Sequence, residues 1–549
     1  MLSSFCIPRA ASLVALAALL FAPIAPAEAT PPEVAANLDQ WPLPNKDYAS
    51  TRSVFASSRI ASQNVDQLSI AWTHTFEGSG FFGAVATNPL ILDDRVYFQD
   101  LESNVFVLDL ADGSGIWSVT THDNANFGPT GLAVGYGRVF LPKSPKVIAA
   151  LDSANGNELW AVDHTRTASE GMTIQPVVYD NRVYMSTVPG TGIFDFYSGN
   201  ASGRIHALDV ATGASLWNFD TVDTMHEVVP HIWNNTAINS GGGAWYPPTI
   251  DTATNTTFWG TGNPAPFAGT VAFPNGSSRL GDNLYTNCIL ALDHASGVLD
   301  WHHQAKAHDL TDADFMSSPV LATVDIGGQP TDIVMGSGKL GRVFGYDRQT
   351  GQVLWNTPVG VHVNDTLDPL PAGSTAVTPG VLGGVETPLA YADGVVFVPV
   401  VNLATNYDPT QSGISFPDPN AGTGELVAID ASNGNIEWQV PYSAINLGGA
   451  TVVNDLVFTA TFDGIIRALD RATGTEVWSH ATGESINSWP AVAGDTILIS
   501  TRTRMLAFRL PPITPAAPPM ALAVLTALLA STAVAGLRML SRGRSADVG

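Results

Sequence analysis

The side chains best suited to chemistry lie in one acidic segment of the chain. Asp309, Asp312 and Asp314 fall within six positions, in the run His-Asp-Leu-Thr-Asp-Ala-Asp. Carboxylates can take up protons from a reacting group, although three acids so close together also form an ordinary solvated loop. The preceding pair, His302 and His303, suggests a metal site. Adjacent residues of a strand point to opposite faces, so we do not expect this pair to share a metal.

Two glycine-rich stretches and one turn add aromatic, amide and basic groups. Gly243 and Trp245 stand in Gly-Gly-Gly-Ala-Trp, Asn263 ends Gly-Thr-Gly-Asn, and Lys339 stands in Ser-Gly-Lys-Leu-Gly. Each has an ordinary structural explanation, because aromatic residues pack at Gly-rich turns, Asn-Pro is a good turn former, and a hairpin lysine can simply face solvent. These residue types alone leave structural and functional roles open.

The elements that must position these residues are seven copies of one repeat. Each copy has an Asp, a Gly four residues later and a Trp four residues beyond that, and the seven tryptophans are Trp117, Trp160, Trp217, Trp301, Trp355, Trp438 and Trp478. The apolar run before each Asp predicts a strand, and the Asp and Gly predict a tight turn. A Trp at a fixed point of every unit can wedge between neighbouring sheets, so the units must stack.

An eighth unit is divided between the two ends of the repeat region. Trp72 has the same Leu-x-x-x-Trp approach but no Asp turn before it, whereas residues 505–508 look like the missing strand without a Trp. Joining these two strands in one sheet closes a ring and removes exposed sheet edges. The sequence therefore predicts an all-β, eight-bladed β-propeller with Trp-docking repeats, closed by its N- and C-terminal strands.

Two units of the repeat are much longer than a blade requires. The segments from Trp217 to Trp301 and from Trp355 to Trp438 are about twice the roughly 40 residues that four short strands need. Insertions in a propeller emerge as loops on its faces, where binding surfaces are built. We therefore expect the functional site among these loops.

The chain ends carry signals for export and for anchoring. Residues 1–29 combine an early Arg, an apolar run and small residues, which predicts a cleavable signal peptide. The propeller is expected over 30–510 and a stiff Pro-rich linker over 511–519. Residues 520–537 carry no charge and precede arginines, which predicts a single transmembrane helix with residues 538–549 in the cytoplasm. An Ala-rich soluble helix is the alternative. The propeller is thus expected on the extracytoplasmic side of the cell membrane.

Charge and cysteine content limit the partners. The chain has 24 Lys and Arg against 49 Asp and Glu, a net charge of −25, which argues against nucleic acid. An acidic exported domain suits a small neutral substrate or a basic protein such as a cytochrome. After signal removal only Cys288 remains, so the chain has no Cys-x-x-Cys-His attachment for a c-type haem. Any electrons are expected to leave to an external acceptor.

The Gly-Gly-Gly-x-Trp and Gly-Thr-Gly-Asn stretches, together with the Trp-docking repeats, resemble the pyrroloquinoline quinone-dependent alcohol dehydrogenases over nearly the whole exported part. The resemblance implies that the flat quinone stacks on Trp245 beside Gly243. It implies that Asn263 ligates calcium through its amide oxygen, the hard donor such an ion prefers. It also implies that Asp312 is the catalytic base and a metal contact, with Lys339 over the quinone oxygens to stabilise developing charge.

The chain departs from this family pattern at several positions. The family's acidic metal ligand is missing from residues 186–192, with Asp195 displaced, so the implied calcium site is incomplete. Paired cysteines near the quinone are absent, and Thr130 and Ala86 replace an Arg and a Glu. Glu386 replaces an amide that contacts the quinone, and an acid beside an anionic cofactor requires pairing with Lys339 or with a metal.

Two functions are compatible with these observations. One is an exported quinoprotein dehydrogenase that oxidises an alcohol or sugar with pyrroloquinoline quinone. The other is a non-catalytic propeller that binds protein or a wall polymer, because such propellers share the repeats. The set Trp245, Asn263, Asp312 and Lys339 favours the enzyme, since a pure scaffold has no reason to keep these residues together.

Overall fold

Apolar strands joined by Asp-to-Gly turns assemble into eight antiparallel sheets in the computed structural model, as the repeat predicts. The structure describes residues 29–76, 83–121, 128–190, 200–222, 232–234, 237–412 and 416–513. Each sheet is called a blade below, with four strands ordered from the first, which is buried, to the fourth, which is the most exposed. The structural neighbours reported below confirm the eight-bladed all-β fold.

The eight blades follow one another along the chain. Blade 1 consists of Leu90–Leu92, Arg95–Gln99, Val105–Asp109 and Gly115–Val119, and blade 2 consists of Ala133–Gly135, Arg138–Pro142, Val147–Asp152 and Glu158–Asp163. Blade 3 consists of Val177–Tyr179, Arg182–Pro189, Arg204–Asp209 and Ser215–Asp220, and blade 4 consists of Thr249–Asp251, Thr256–Gly260, Cys288–Asp293 and Leu299–Gln304. Blade 5 consists of Val320–Ile326, Gln329–Gly336, Arg342–Asp347 and Val353–Pro358, and blade 6 consists of Ala390–Ala392, Val395–Asn402, Thr423–Asp430 and Ile436–Tyr442. Blade 7 consists of Thr451–Val453, Leu456–Ala460, Ile465–Asp470 and Glu476–Ala481, and blade 8 consists of Ala491–Ala493, Thr496–Ser500, Arg504–Arg509 and Ser69–Thr75.

Short additional elements lie outside the four-stranded pattern. The further strands are Ser53–Val54, Glu170–Gly171, Ser240–Gly241 paired with Pro264–Ala265, and Thr375–Val377 paired with Thr405–Tyr407; the helices are the α-helix Pro32–Ala36 and the 3-10 turns Val65–Gln67, Pro274–Gly276 and Pro419–Ala421. The two small paired sheets lie in the long segments that the repeat spacing identified as insertions.

The ring closes in blade 8. Its fourth strand, Ser69–Thr75, comes from the N-terminal side and pairs antiparallel with Arg504–Arg509 from the C-terminal side. The closing pair therefore has no connecting turn of its own. This arrangement is the divided eighth unit that the sequence predicts.

Six of the seven repeat tryptophans dock on the glycine turn of the next blade. The Trp217 indole of blade 3 donates a hydrogen bond of 3.0 Å to the His294 carbonyl of blade 4, one residue after the repeat Asp. A Cβ added to Gly297 would lie 2.4 Å from the Trp217 ring. The same two contacts, an indole hydrogen bond to a carbonyl and packing against a glycine, recur for Trp72, Trp117, Trp160, Trp301, Trp355 and Trp438. The series runs from Trp72 of blade 8, which docks on blade 1, to Trp438 of blade 6, which docks on blade 7. The wedge between neighbouring sheets is thus confirmed.

Trp478 of blade 7 docks differently, because blade 8 has no Asp-to-Gly turn. Its ring packs edge-on against Phe508, with ring centroids 5.8 Å apart. Phe508 lies on the third strand of blade 8, in the C-terminal half of the closing pair. An aromatic side chain thus replaces the glycine turn at the point where the two chain ends meet.

The chain order places all insertions on one face of the ring. In an antiparallel four-stranded blade, the link from one blade to the next and the turn between second and third strands lie at the same end of the strands. The links from one blade to the next include residues 221–248 and 359–389. The turns between second and third strands include residues 261–287 and 403–422. We call this end of the ring the loop face.

A buried arginine ties the N-terminal segment to the ring. The guanidinium of Arg52 is fully buried and donates to the Ala450 and Pro490 carbonyls at 2.8 and 2.9 Å. It also lies 5.9 Å from the centre of the Trp489 ring. Burial lowers the pKa of Arg52 to about 9. These contacts hold blades 7 and 8 and the strand Ser53–Val54 together.

The export and anchoring segments predicted from sequence lie outside the described residues. This applies to residues 1–28 of the signal peptide, to the helix 520–537, to the tail 538–549 and to most of the linker. Within the described ranges, the structure contains no helix with the length and apolarity needed to cross a membrane.

We predict that Gly297→Ala will destabilise the ring by about 3 kcal/mol or more, because its methyl group would displace the Trp217 ring from its dock. Gly297 has a φ of +71°, so part of the cost is backbone strain. The matched control is Gly327→Ala, with a φ of +64° and no heavy atom within 4 Å of the added methyl group. Denaturant melts of both variants measure the difference. Equal losses of stability would contradict the docking role.

Candidate active site

The loop face carries a cavity built from links and turns of most of the blades. Its volume is about 850 Å³ when the open solvent at its mouth is included. The lining residues are Ala86, Gly128, Pro129, Trp245, Tyr246, Asp312, Asp314, Met316, Lys339, Val381, Leu382, Glu386, Thr387, Phe416, Leu447, Asn487 and Trp489. Trp245 and Glu386 come from the two long insertions, where the repeat spacing placed the site.

Aromatic rings form one part of the cavity wall. Trp245 is 6% exposed, and a Cβ at Gly243 or Gly262 would lie 2.8 Å from its indole ring. Only glycine at these two positions lets the backbone pass so close to the ring. Beside it, the rings of Tyr246 and Trp489 stack with centroids 5.6 Å apart. Gly243 therefore supports the Trp245 ring and is not itself a wall residue.

The predicted base and the predicted basic residue lie together in the cavity. Lys339 Nζ is 3.1 Å from Asp312 Oδ2 and 2.9 Å from Asp314 Oδ2. Both aspartates are 1% exposed. Asp314 Oδ1 also accepts a hydrogen bond of 2.5 Å from the backbone N–H of Asn263. One ammonium group thus holds two carboxylates, and the second carboxylate connects this cluster to Asn263.

The third acid of the segment organises the loop. Asp309 is fully buried, pairs with Lys306 at 2.9 Å and accepts hydrogen bonds from the backbone N–H groups of Thr311 and Ala313 at 2.9 and 2.6 Å. Burial acts to raise its pKa, but Lys306 and these N–H groups together lower it. The ionised Asp309 therefore fixes the backbone on both sides of Asp312. It does not line the cavity.

Two oxygen atoms near this cluster are available as ligands. Asn263 Oδ1 and Asp312 Oδ1 are buried, and neither has a hydrogen-bond partner among the described residues. Unpaired buried acceptors are costly unless a donor or cation satisfies them. Amide and carboxylate oxygens together suit a hard cation. In the described part of the chain, however, no three His, Cys, Asp or Glu side chains are grouped to hold a metal ion.

Glu386 is a second buried acid in the same cavity. Its backbone carbonyl accepts a hydrogen bond from the Tyr246 hydroxyl. Its side-chain Oε1 is buried without a hydrogen-bond partner in the described ranges. Burial raises the pKa of Glu386 to about 8, although Lys339 acts to lower it. The Glu386 side chain is therefore mainly protonated near neutral pH, and a neutral carboxyl can donate a hydrogen bond to an anionic ligand.

Burial also governs the two aspartates. It raises the pKa of Asp312 well above its ordinary value; Lys339 acts against this shift and Asp314 adds to it. Burial likewise raises the pKa of Asp314, and Lys339 again opposes the shift. Three carboxyl groups share one ammonium group in this cavity. An additional cation at Asp312 Oδ1 would favour the ionised carboxylate, the form that can accept a proton.

Other positions that depart from the family pattern also line the cavity or adjoin it. Ala86, Gly128 and Pro129 line the cavity, so small apolar groups stand near the positions of the family's Glu, paired cysteines and Arg. Thr130 is fully buried next to them. Ser186 lies on the second strand of blade 3 and donates to the Ala244 carbonyl, beside Trp245. Asp195 lies outside the described residues.

Two aromatic residues of the cavity, Tyr246 and Trp489, were not identified from sequence, and Asp314 was named in the acidic segment without a role of its own. Asp314 follows Asp312 by two positions, and its proximity to Lys339 depends on the fold. Tyr246 and Trp489 come together from blades 4 and 8, and their stacking is a long-range contact. One signal was available, because Trp489, like Trp245, lies outside the repeat register. Tryptophans outside the register were therefore candidates for the site.

Comparison with known protein families agrees with this geometry. Residues 41–361 match the family described as glucose/ethanol/alcohol dehydrogenase, beta-propeller domain. Residues 372–511 match the family described as outer membrane protein assembly factor BamB. The first match contains Trp245, Asn263, Asp312 and Lys339, and it covers more than half of the chain.

Individual proteins show the same relationship over most of their length. The chain is 26% identical over 523 residues to a quinohemoprotein alcohol dehydrogenase of Comamonas testosteroni, covering 83% of this chain and 71% of that protein. It is 26% identical over 518 residues to a lanthanide-dependent methanol dehydrogenase of Methylacidiphilum fumariolicum, covering 81% of each. A solved quinohemoprotein alcohol dehydrogenase of Pseudomonas putida has a similar fold, with a TM-score of 0.76, 22% identity and coverage of 88% and 83%. The relationship to quinoprotein alcohol dehydrogenases and the prediction of an oxidoreductase are confirmed.

We predict that Glu386→Gln will stabilise the protein increasingly as the pH rises. The folded-state pKa of about 8 lies above the ordinary value of 4.5, so the folded protein keeps a proton that the unfolded chain releases. This carboxyl therefore destabilises the fold progressively from about pH 4.5 to about pH 8. The gain from glutamine should be small at pH 5 and on the order of 3 kcal/mol at pH 8.

Thermal melts of wild type and Glu386→Gln at several pH values test this. The control is Glu437→Gln on the fourth strand of blade 6, away from the cavity. A gain for Glu386→Gln that does not change with pH would show that this carboxyl is not held in its protonated form.

Proposed function

Because this chain belongs to the glucose/ethanol/alcohol dehydrogenase β-propeller family, we propose that it oxidises an alcohol or sugar with pyrroloquinoline quinone and passes the electrons to an external acceptor. The supporting observation is the convergence of Trp245, Asp312, Lys339 and Glu386 on one cavity, with Asn263 bonded to its acidic cluster. These residues come from three blades, and no local requirement of the fold brings them together.

The cavity has the properties that a flat, anionic quinone requires. Trp245 offers an aromatic face for stacking. Lys339 supplies positive charge, and protonated Glu386 can donate a hydrogen bond where the family has an amide. When bound, the quinone supplies the acceptor for the hydride that leaves the alcohol carbon. Ala86 and Gly128 leave space but no charge, so Lys339 is the cation among the described lining residues that can stabilise the anion.

The proton of the alcohol hydroxyl group goes to Asp312 in this proposal. Its Oδ1 atom is buried, has no partner among the described residues and borders the cavity, while Oδ2 is held by Lys339. The ammonium group orients the carboxylate and favours its ionised form. Asp309 supports the same geometry through its bonds to the backbone of Thr311 and Ala313.

We propose that a metal cation binds beside Asn263 and Asp312. Both residues present an unshared oxygen atom, and a cation there would offset the excess of carboxyl groups over Lys339. The family's acidic ligand is missing from residues 186–192, so we propose a site with fewer protein ligands than in the family. Calcium remains the expectation from the resemblance. Two relatives are named lanthanide-dependent, so a trivalent ion belongs in the same test.

The alternative is a non-catalytic propeller at the cell surface. It is favoured by the match of residues 372–511 to the BamB family, which includes the cavity residues Val381, Leu382 and Glu386. A scaffold needs neither an unpaired Asp312 oxygen nor a buried lysine shared by two carboxylates. The two functions differ in whether the cavity binds quinone.

We propose that the propeller is exported and held at the membrane by residues 520–537. The signal-like N-terminus, the proline-rich linker and the uncharged C-terminal stretch support this arrangement. Electron transfer to a separate protein follows from the cysteine content, since the mature chain would keep only Cys288, which is buried. A basic cytochrome suits the net charge of −25.

We predict that Trp245→Ala, Asn263→Ala and Asp312→Asn will fail in different ways. Loss of the aromatic face should weaken quinone binding about tenfold. Loss of the amide oxygen should raise the metal concentration needed for activity about tenfold or more. Loss of the base should preserve quinone binding and lower turnover about 100-fold or more.

The test is titration of the purified domain with pyrroloquinoline quinone plus calcium or a lanthanide ion, followed by dye reduction with alcohols. The control is Asp325→Asn, an exposed acid in a hairpin of blade 5, which should behave as wild type. Absence of quinone binding at micromolar concentration would support the scaffold. Normal turnover by Asp312→Asn would remove the proposed base.

We also predict that a chain ending at Leu510 is released as a folded, soluble propeller, while the full chain fractionates with membranes. The closing strand Arg504–Arg509 ends before the cut, so the ring keeps all eight blades. The matched control is the full chain with Leu525→Arg and Leu528→Arg, because charges at the centre of a membrane helix oppose insertion. Recovery of the unaltered full chain in the soluble fraction would contradict the anchor.

A further inference from the structure

The polar groups of the cavity are gathered on one side. Asp312, Asp314 and Lys339 form one ion-paired cluster, and Glu386 interacts electrostatically with Lys339 and Asp314. In the proposed function, the reacting hydroxyl group must reach Asp312. The rest of any substrate therefore extends from this cluster toward the remaining walls.

The remaining walls are mostly apolar. They are formed by Met316, Val381, Leu382, Phe416, Leu447 and Trp489. This surface continues into a hydrophobic cluster that contains Leu447 and the buried side chains of Val401, Leu403 and Ile445, with Leu382 and Phe462 packed against it. Met316 and Trp489 belong instead to a second cluster, which also contains Val188, Trp245 and Tyr246. The apolar wall therefore borders two hydrophobic clusters, and its residues come from five separate segments of the loop face.

From this separation of polar and apolar lining residues we infer that the substrates are alcohols with a hydrophobic body, such as aliphatic or aromatic alcohols of about four carbons or more. Sugars and methanol are then poor substrates. The inference rests on the proposed function. It specifies the substrate class, which the residues of the acidic cluster do not determine.

Sugars do not fit such a surface, because each further hydroxyl group loses hydrogen bonds to water and needs a partner in the cavity. Beyond the acidic cluster, the polar groups of the lining are the side chains of Thr387 and Asn487, the Tyr246 hydroxyl, which already donates to the Glu386 carbonyl, and the indole N–H groups of Trp245 and Trp489. These few groups, most of them donors, do not match the several hydroxyls of a sugar. Methanol does fit, but it lacks the carbon atoms that would contact Leu382 and Leu447.

The size of the effect follows from the burial of methylene groups. Each methylene moved from water to an apolar wall should raise kcat/KM about fourfold until the wall is covered. A cavity that accepted only small or polar alcohols would show no such increase. The dependence on chain length therefore reports on the apolar wall and not on the base or the quinone.

The test measures kcat/KM for ethanol, 1-butanol, 1-hexanol and glucose with the full protein, reconstituted with quinone and metal. We expect an increase from ethanol to 1-hexanol and a value for glucose below that for ethanol. A flat or falling series, or a preference for glucose, would overturn the inference while leaving the proposed function intact. Absence of turnover with every alcohol would instead overturn the proposed function, and the inference with it.

Two variants connect the effect to the wall. Leu382→Asn should lower kcat/KM for 1-hexanol about tenfold and change that for ethanol less than twofold. Val381→Thr keeps the shape of the side chain and replaces one methyl group by a hydroxyl group, so it serves as the second variant if Leu382→Asn folds poorly. The matched control is Leu159→Asn, on the exposed fourth strand of blade 2, where Leu159 is 48% exposed.

A binding measurement provides a readout that does not depend on catalysis. Saturation-transfer NMR of the quinone-free protein should show contact with the terminal methyl group of 1-hexanol, and weaker contact in Leu382→Asn. Equal signals from the wild type and both wall variants would show that the hydrophobic alcohol binds elsewhere, which would contradict the inference.

Discussion

The docking of tryptophan rings on the glycine turns of the following blades, which recurs at every blade boundary except that between blades 7 and 8, is the constraint on which the rest of the structure depends. One indole ring both fills the space between two sheets and donates a hydrogen bond to a fixed carbonyl group of the next blade. Because the same contact recurs around the ring, it sets the spacing between neighbouring blades. The closing pair of strands then completes a ring of eight.

The ring in turn determines where a site can form. Links between blades and turns between second and third strands all reach the loop face, so side chains distant in sequence meet near its centre. Asp312 follows the fourth strand of blade 4, Lys339 stands in a turn of blade 5, and Glu386 precedes blade 6. The burial that the loops impose then raises the pKa of the carboxyl groups and makes their charge depend on Lys339 and on any bound cation.

Much of the fold was predictable from sequence because the repeat is a local pattern with a regular spacing. The number of blades, the divided closing blade and the insertion sites follow from the positions of Trp and Gly residues. The site was predictable only where motifs with a family resemblance occur, as for Trp245 and Asp312. Tyr246 and Trp489 were missed, and Asp314 was given no role, because their places in the site depend on contacts between distant segments. The local pattern likewise did not distinguish the loop-organising Asp309 from the acids that face the cavity.

The departures from the family pattern share one physical consequence. Ala86 and Thr130 remove one negative and one positive charge from the site, whereas Glu386 adds an acid that burial keeps mainly protonated near neutral pH. The charge that an anionic quinone meets at neutral pH is thus carried chiefly by Lys339 and by any metal ion. This accounts for how a site that lacks several family ligands can still favour the same class of cofactor.

The most direct test of this account is a crystal structure of the exported domain grown with pyrroloquinoline quinone and a metal salt. The account predicts a flat ring system stacked on Trp245, with a cation in contact with Asn263 Oδ1 and Asp312 Oδ1 and with Lys339 beside the quinone oxygens. Quinone bound at another surface would contradict it. So would a cavity that stays empty of quinone at saturating concentration.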